Sequence, residues 1–349
     1  MARTTRLTDA ELIGHFEQGT PDVEQIEALL GPDSVQVIAD ALSVPGHKEP
    51  AGQAEIVAVI AAGAVSGLGK VRADGPEAQL SDDERLGLES VVLLFGRPAL
   101  LVEDGHFRPP KPPWEKLEEH RAAIESALRS VGRIELTGHE EHDVVGTGFL
   151  VGEDIVVTNR HVAKHFLVGP PDWPFEPEIE ARIDFNEEFL AGEPREFAIR
   201  EVVGVSLDFD IALFRVDAGG TAAGPLPPPL PLADEVGVAE GDDVYVIGFP
   251  LNDPDPGTSA EALHRTFSDL YGFKRVQPGK VTGFDRERRE IVHDCSTLHG
   301  NSGSCLIDLR SGRVVGIHRR GRYLRGNFAV SLPDARDDPA VQKARLRFS

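Results

Sequence analysis

The chain has very little cysteine: its 349 residues include only Cys295 and Cys305. This excludes a framework of several disulfides and, with it, the small secreted folds that depend on one. The two thiols could form a single bridge or sense oxidation, but two buried thiols on neighbouring strands are the plainer interpretation. Because the N-terminus also lacks the apolar core of a signal peptide, we expect a cytoplasmic protein.

Positive charge is also scarce. The 36 lysines and arginines stand against 58 acidic residues, which gives a formal net charge of −22 at pH 7. Nucleic acids and anionic membranes bind basic surfaces, so neither is expected as a main partner. No apolar run approaches the roughly 18 residues that cross a bilayer. His139 and His142 have no matching third ligand, and we therefore expect no metal and no cofactor.

The length of 349 residues predicts two or three folding units. Residues 1–95 show the apolar spacing of helices, with helix starts indicated at Thr8, Thr20 and Ser81 and a buried helix over 54–65. We predict a small helical bundle that acts as an interaction or regulatory domain and binds a protein partner. A passive stabilising bundle is the alternative.

The pattern changes after residue 95. A proline-rich linker and a connecting helix are predicted for 96–132. Short β-branched runs separated by glycines then predict the strands of a sandwich or barrel. A Gly/Pro-rich stretch divides this part into two halves of similar size. The predicted boundaries are 133–217 for the first half, 218–233 for the stretch between them, 234–335 for the second half and 336–349 for a C-terminal tail.

One motif carries a candidate nucleophile. Ser302 lies in HGNSGS, where flanking glycines allow a tight turn that exposes the hydroxyl. The same turn would let the backbone N–H groups of Gly300 and Ser302 converge on one point, as an oxyanion hole requires. Taken alone, the motif is also compatible with an ordinary glycine-serine turn.

Two further motifs supply a base and a carboxylate. His161 follows the strand pattern DIVVTN, and Asp210 directly precedes the apolar strand IALF. An aspartate at such a strand edge can accept the Nδ1–H of a histidine and hold its tautomer. Asp208 is the competing carboxylate and is expected to face solvent. His165 makes a two-histidine pattern with His161, but the glutamate of a metalloprotease helix is missing.

Each motif has a plain alternative, namely a capped surface histidine, a strand-start aspartate or a simple turn. Their joint occurrence in the order His, Asp, Ser, in these local contexts, indicates a serine peptidase that hydrolyses peptide bonds with a catalytic triad. The residues expected to carry it are His161, Asp210 and Ser302.

Residues from about 133 to 335 resemble the chymotrypsin-fold (trypsin-like) serine peptidases, especially the bacterial branch of glutamyl endopeptidases and high-temperature-requirement proteases. The resemblance lies in GTGFLV, TNRHV, DIAL, VYVIGFP, VQPGKVTGF, STLHGNSGS and RVVGIH. It implies an α+β multidomain chain in which the helical bundle precedes a mainly β double Greek-key barrel with the active site in the cleft. It also implies an endopeptidase acting on protein or peptide substrates. A catalytically silent scaffold that binds or signals is the alternative.

The resemblance extends to the substrate pocket. Thr297 and His318 match positions that bind the substrate carboxylate in glutamyl endopeptidases, which implies a preference for Glu or Asp before the scissile bond. A small or apolar residue there is the alternative. His299 replaces the glycine common in the family and is expected at the cleft rim, while Arg319 begins an arginine-rich segment beside the pocket. Both are expected to contact substrate, although a solvated basic turn at the arginines and a core role for His318 would also fit.

Overall fold

The N-terminal part of the computed structural model is helical. Residues 7–17, 22–43, 52–217, 224–252, 269–322 and 326–349 are described. The helices here are α1 (Asp9–Glu17), α2 (Val23–Leu30), α3 (Ser34–Leu42), α4 (Gln53–Asp74) and α5 (Asp82–Val91), with a π turn over Val92–Gly96. Their apolar faces form a core of their own, separate from the cores of the β part.

Local capping chemistry sets where these helices begin. Glu11 N–H donates to the Thr8 hydroxyl at 3.2 Å, and Ser81 caps α5 in the same way, which confirms both predicted capping boxes. The predicted start at Thr20 lies outside the described residues. The α2 helix begins after Asp22, whose side chain accepts the backbone N–H of Gln25.

The α4 helix is the longest and packs closely against α5. A Cβ atom at Gly63 would lie 2.1 Å from the carbonyl oxygen of Asp83, so only glycine permits this backbone approach. Contrary to the expectation of no long apolar run, Gln53–Glu77 is long and apolar enough to cross a membrane, with a mean hydropathy of 1.6. The core helix of a soluble protein can have the same length and apolar composition, and 44% of the apolar stretch in this helix is buried inside the structure. Its composition is therefore weak evidence for a membrane.

A connecting segment and two barrels follow. The connector holds β1 (Leu100–Glu103), β2 (His106–Phe107), a 3₁₀ turn (Glu115–His120) and α6 (Arg121–Leu128). The first barrel contains β3 (Val131–Thr137), β4 (Val144–Leu150), β5 (Ile155–Thr158), the short helix α7 (Arg160–Ala163), β6 (Glu180–Asp184), β7 (Glu196–Val205) and β8 (Ala212–Val216). These strands close in the antiparallel order β3-β4-β5-β8-β7-β6 around an apolar interior.

The second barrel is built in the same way. Its strands are β9 (Asp243–Gly248), β10 (Arg275–Asp285), β11 (Glu290–His293), β12 (Cys305–Asp308), β13 (Val314–Arg322) and β14 (Gly326–Ser331), and α8 (Pro339–Lys343) follows. The order β9-β10-β11-β14-β13-β12 closes because β12 also pairs with β9. The predicted chain of N-terminal helices followed by a chymotrypsin-like double barrel is confirmed.

The segment 96–132 is more than the predicted linker and helix. Strand β1 pairs with β10, where Leu100 lies opposite Val276, and so extends the sheet of the second barrel. Trp114 is buried and donates its indole N–H to the carbonyl of Gly96 at 2.9 Å. Because Trp114 belongs to the same apolar core as residues of both barrels, this segment joins the helical part to the two barrels.

The C-terminal residues also lie on the β part. Asp338 caps α8 and accepts a buried hydrogen bond from the Ser206 hydroxyl at 2.7 Å. A Cβ atom at Gly204 would lie 2.9 Å from atoms of Ala340, so β7 and α8 are in close contact. The range 336–349, which was predicted as a tail, therefore packs against one side of the first barrel.

Candidate active site

The pairing of β5 with β8 brings the candidate base and carboxylate together. Thr158 lies opposite Ala212 in this pairing, so His161 after β5 and Asp210 before β8 emerge at one edge of the barrel. The Nδ1 atom of His161 lies 2.6 Å from Oδ2 of Asp210. The backbone N–H of His161 donates to the other carboxylate oxygen at 3.0 Å. The carboxylate thus holds the histidine at two points.

The two side chains differ in exposure. The side chain of Asp210 is 6% exposed and that of His161 is 42% exposed, so one end of the imidazole is open to the cleft. Burial opposes ionisation of Asp210, but hydrogen bonds from His161 and the charge of Arg319 outweigh it and lower the pKa of this carboxyl. Asp210 is therefore a carboxylate at neutral pH. Asp208 is exposed, as predicted.

The loop of Ser302 depends on its glycines. Gly303 has φ +89°, and a Cβ atom there would lie 2.0 Å from the carbonyl oxygen of Thr147. Thr147 donates its backbone N–H to the Ser302 carbonyl at 2.8 Å and its hydroxyl to the Gly300 carbonyl at 2.7 Å. Strand β4 of the first barrel therefore fixes the loop of the second barrel.

The Ser302 loop lies close to the short helix that carries His161. Gly146 lies between the Ser302 carbonyl and Val162, since a Cβ atom at Gly146 would be 2.8 Å from the former and 2.9 Å from the latter. The Ser302 hydroxyl donates to the carbonyl of Arg319 at 3.4 Å. In the described part of the chain it makes no hydrogen bond with His161. Catalytic hydrogen bonds often tighten only when substrate is bound.

Two backbone N–H groups beside Ser302 are available to a ligand. The carbonyl of His299 accepts the N–H of Leu251 at 2.7 Å, so the N–H of Gly300 in the same peptide points the other way. Among the described residues, neither Gly300 N–H nor Ser302 N–H donates to a protein atom. This leaves both N–H groups free to bind an oxyanion.

Thr297, one of the predicted pocket residues, is held in place by hydrogen bonding. Thr297 donates its hydroxyl to Oδ1 of Asn327 at 2.8 Å, and the Asn327 amide donates to the carbonyl of Cys295 at 2.6 Å. Gly321 lies against both, because a Cβ atom there would be 1.9 Å from Asn327 Oδ1 and 3.3 Å from Thr297 Oγ1. Sequence reasoning missed Asn327, since no local motif marks a residue that reaches the pocket from β14. His299 is exposed, as a rim residue would be.

His318 is part of a buried pair of histidines. Its Nδ1 lies 3.2 Å from Nε2 of His293, the last residue of β11 in the same barrel. Burial lowers the pKa of His293 to about 3. Burial, with the neighbouring His293 and His161, lowers the pKa of His318 well below its usual value. Both rings are therefore neutral at pH 7 and can offer hydrogen bonds but no positive charge.

Arg319, predicted to contact substrate, pairs with a carboxylate from each barrel. Its Nε lies 3.3 Å from Oδ2 of Asp210, and its guanidinium also pairs with Glu290. Arg320 pairs with the second oxygen of Glu290 at 2.9 Å and covers the ring of Phe328. No sequence pattern indicated that β11 brings a buried carboxylate, Glu290, to Arg319.

Both cysteines are free and buried, as the plainest interpretation expected, but only Cys305 lies in a strand, because Cys295 follows the end of β11. Burial raises the pKa of Cys305 to about 12 and that of Cys295 well above its usual value. Both therefore stay protonated at neutral pH, so neither has the thiolate character of a reactive cysteine.

The structure also brings together three histidines that appeared unrelated in the sequence. The ring of His165 lies 5.7 Å from that of His139 and 5.3 Å from that of His142, centroid to centroid. Nδ1 of His139 accepts two backbone N–H groups of its own loop. Burial and the neighbouring rings lower the pKa of His165. The cluster borders the short helix that carries His161.

Comparison with known proteins agrees with this geometry. Residues 146–317 match the family model described as a trypsin-like peptidase domain. A probable serine protease of Lysobacter enzymogenes is 28% identical over 313 residues, which cover 80% of this chain and 81% of that protein. Exfoliative toxin A of Staphylococcus aureus is 26% identical over 216 residues, covering 61% and 67%. A glutamyl endopeptidase of Staphylococcus epidermidis is 25% identical over 191 residues, covering 54% and 58%.

The matched residues run from β4, which fixes the serine loop, to β13, which lies beside it. They therefore include parts of both barrels and contain His161, Asp210 and Ser302. Residues 146–317 are a trypsin-like peptidase domain, and the chain is a serine endopeptidase with a chymotrypsin-like fold.

Proposed function

We propose that this endopeptidase uses a triad in which Ser302 is the nucleophile, His161 the general base and Asp210 the carboxylate that orients the base. The observation that carries the proposal is the 2.6 Å contact between His161 Nδ1 and Asp210 Oδ2, beside the loop of Ser302. A carboxylate that accepts from Nδ1 keeps the ring proton on that atom. Nε2 then has the lone pair that can take a proton from a hydroxyl.

The geometry supports acyl transfer in two stages. His161 takes the proton of Ser302 as the hydroxyl oxygen attacks the carbonyl carbon of the scissile bond, and the N–H groups of Gly300 and Ser302 bind the oxyanion that forms. The imidazolium then protonates the leaving amine. Water repeats the attack on the acyl-enzyme, and Ser302 is released with its proton restored. Asp210 stays ionised and stabilises the imidazolium.

A fluorophosphonate probe tests the nucleophile directly, because it labels only an activated serine. Wild-type protein should be labelled, and Ser302→Ala should lose both labelling and turnover, by about 10⁵-fold or more in kcat. Ser304→Ala is the matched control: Ser304 is buried in the same loop and its hydroxyl has no partner among the described residues. If Ser302→Ala stays labelled and active, the proposed nucleophile is wrong.

We propose further that the enzyme prefers Glu or Asp before the scissile bond. Thr297 and His318 support this, as does the similarity to a protein named glutamyl endopeptidase. His318 would act through a hydrogen bond, since its ring is neutral. The recognition therefore depends on which nitrogen of His318 carries the proton.

The buried partner of His318 determines that tautomer. Nδ1 of His293 has no hydrogen-bond partner in the described part of the chain. A buried lone pair without a partner is less costly than a buried N–H without one, so the proton of His293 belongs on Nε2. His293 then donates to Nδ1 of His318, and the proton of His318 is on Nε2, where a substrate carboxylate could accept it.

Peptides that differ only in the residue before the scissile bond test this preference. We expect Glu to exceed Gln by roughly tenfold in kcat/KM, as one hydrogen bond to a charged acceptor exceeds one to a neutral acceptor. Phe and Ala at this position should be cleaved more slowly than Glu. Equal cleavage of all four peptides, by an enzyme that the probe shows to be active, would reject the acidic preference.

We also propose that residues 1–95 form a module for a protein partner that adjusts the peptidase. Arg97 supports this coupling: its guanidinium lies 3.0 Å from Nδ1 of His15 on α1 and 3.3 Å from the carboxylate of Asp294. Asp294 stands between His293 and Cys295, and its carboxylate accepts the backbone N–H of Lys280 at 2.6 Å. The helical part thus contacts the chain segment that borders the pocket.

Full-length Ser302→Ala protein can serve as bait for such a partner. Any captured protein is then added to wild-type enzyme, and we expect it to change kcat/KM for a peptide substrate. The Arg97→Gln variant should bind the partner but show less of this change. If no captured protein alters cleavage, the helical part is a passive stabilising bundle.

A further inference from the structure

The guanidinium of Arg319 lies between two buried carboxylates. On one side is Asp210, whose Oδ2 lies 3.3 Å from Nε of Arg319 and 2.6 Å from Nδ1 of His161. On the other side is Glu290, whose side chain is 1% exposed. Arg319 belongs to the second barrel and Asp210 to the first, so this contact joins the barrels at the carboxylate of the proposed triad.

A β-bulge directs Arg319 to this position. In the pairing of β13 with β14, His318 lies opposite Ala329 and Arg320 lies opposite Phe328. Arg319 is therefore the extra residue, for which β14 has no counterpart. A bulge bends its strand and redirects a side chain, and bulges are frequent beside active sites. Without it, Arg319 would continue the regular alternation of β13.

Glu290 weakens the effect of the Arg319 charge on Asp210. An arginine alone would compete with the imidazolium that must form on His161, because both would be attracted to the same carboxylate. Glu290 accepts from Arg319 with one oxygen and from Arg320 with the other. The charge of Arg319 is therefore shared between two carboxylates, and its attraction to Asp210 is moderated.

The turn between β10 and β11 contacts the chain beside Asp210 at a second point. The guanidinium of Arg289, directly before Glu290, lies 4.2 Å from the centroid of the Phe209 ring. Residues 209 and 210 of the first barrel are thus both contacted by the second barrel, one from the turn between β10 and β11 and the other from β13. This restricts the carboxylate to one position.

The backbone of Arg319 reaches the other end of the proposed triad. Its carbonyl oxygen accepts the Ser302 hydroxyl at 3.4 Å, while its side chain contacts Asp210. The residue before it, His318, belongs to the proposed pocket. Arg319 therefore links the nucleophile, the carboxylate and the pocket strand through one residue.

We propose that Arg319, anchored by Glu290, is a positioning residue of this peptidase: it holds Asp210 in the orientation in which Oδ2 meets Nδ1 of His161. The inference rests on the proposed triad. It assigns Arg319 no contact with the scissile bond. Its effect should therefore appear in kcat, which depends on the base, and not in KM, which depends on substrate contacts.

Kinetics of Arg319→Ala with one fluorogenic peptide test the proposal. We expect kcat to fall by about 30- to 100-fold, as a misplaced catalytic group does, with KM unchanged within threefold. Millimolar guanidinium ion should restore part of the lost kcat, while equal sodium chloride should not. Arg288→Ala is the matched control: Arg288 forms an ion pair with Asp285 at 3.0 Å in the same β10–β11 hairpin and does not contact Asp210.

Glu290→Gln provides an independent variant, because it keeps the shape but releases the anchor of Arg319. We expect about a tenfold lower kcat, again with KM unchanged. If Arg319→Ala does not fold, this variant decides the matter. A kcat within threefold of wild type for the folded variant would overturn the proposal.

Different results would reject the proposed triad and the proposed role of Arg319. If Ser302→Ala keeps its activity, the proposed triad is wrong and the role of Arg319 falls with it. If Ser302→Ala is inactive while Arg319→Ala keeps wild-type kcat, the triad stands and the positioning role is rejected. A loss in Arg319→Ala that appears only in KM also rejects positioning and indicates substrate binding.

Discussion

Two regions on either side of the serine loop are both buried and polar, but they differ in charge. The side chains of the first region are ionised, and those of the second are neutral. In the first, Asp210 and Glu290 face Arg319, and opposite charges within hydrogen-bond distance keep Asp210 ionised. In the second, His293 and His318 face each other and have no carboxylate partner among the described residues, so burial keeps both rings neutral. Burial alone therefore does not determine charge; the partner does.

The boundary between the two regions runs between adjacent residues. His318 and Arg319 are neighbours on β13, but the bulge at Arg319 turns its side chain toward the first barrel. The charged region serves the proposed chemistry, where a formal negative charge must stabilise an imidazolium. The neutral region serves the proposed recognition, where a directed hydrogen bond is sufficient.

The largest expected effect comes from removing the charge of the first region. Asp210→Asn should lower kcat by about 10⁴-fold, because an amide can hold the wrong tautomer of His161 and gives no charge to its imidazolium. Steady-state kinetics and a circular dichroism spectrum measure the loss and the retained fold. Asp208→Asn, at an exposed carboxylate two residues away, should stay within twofold. A mild effect of Asp210→Asn would mean that this region is structural only.

The neutral region should show a smaller effect that depends on the substrate. His318→Leu removes the proposed hydrogen-bond donor but keeps an apolar side chain, so kcat/KM for a Glu peptide should fall by about 30- to 100-fold. A peptide with Ala at that position should change by less than fivefold. His106→Ala, at an exposed histidine of the connector, is the control and should change the cleavage of neither peptide. Equal losses for both peptides would show that His318 acts through folding and not through recognition.

The pH dependence of stability provides a third comparison. The pKa of His293 is about 3 in the folded chain and about 6.5 when unfolded, so between these values only the unfolded chain binds the proton. Stability from this residue is therefore present above pH 6.5 and is lost as the pH falls towards 3. Wild type should lose up to about 1.4 kcal/mol per pH unit more than His293→Gln in this window.

Urea unfolding at pH 7, 6 and 5 measures that difference. His106→Gln is the control, because the side chain of His106 is 71% exposed and should not reproduce the change in slope. If wild type and His293→Gln lose stability in parallel as the pH falls, then His293 is not buried in its neutral form.

The smallest expected effect concerns the thiols. Cys295 and Cys305 are buried and protonated at neutral pH, so a thiol-specific disulfide reagent should react very slowly with native protein and rapidly with both thiols in denaturant. Pretreatment of native enzyme should leave peptide cleavage unchanged. Fast reaction of either thiol in native protein would show that the neutral region opens to solvent.

Features that depend on local chemistry were predictable. Ser81 and Glu84 form the expected capping box because its two hydrogen bonds lie within one helical turn. The order of His161, Asp210 and Ser302, each in its own local context, indicated the fold before any contact was known. The contact between His161 and Asp210 is the one that the proposed triad needs, and the free N–H groups of Gly300 and Ser302 are those that the proposed oxyanion hole needs.

Features that depend on distant contacts were not predictable. Residues 100–103 read as a short apolar piece of a linker, but they pair with β10 because that strand has an open edge at this point. Asn327 reaches Thr297 only because β14 passes beside the pocket. His165 joins the histidines of another loop through the folding of the first barrel.

The sequence by itself determined the starts of α1 and α5, the glycine-dependent serine loop and the residues of the proposed triad. These are properties of a few adjacent residues and of their intrinsic chemistry. Only the tertiary structure decided which carboxylate meets Arg319, which ring meets His318 and which of these groups keep a charge. Those outcomes depend on burial and on partners from strands far apart in the chain, and neither can be read from spacing along the sequence.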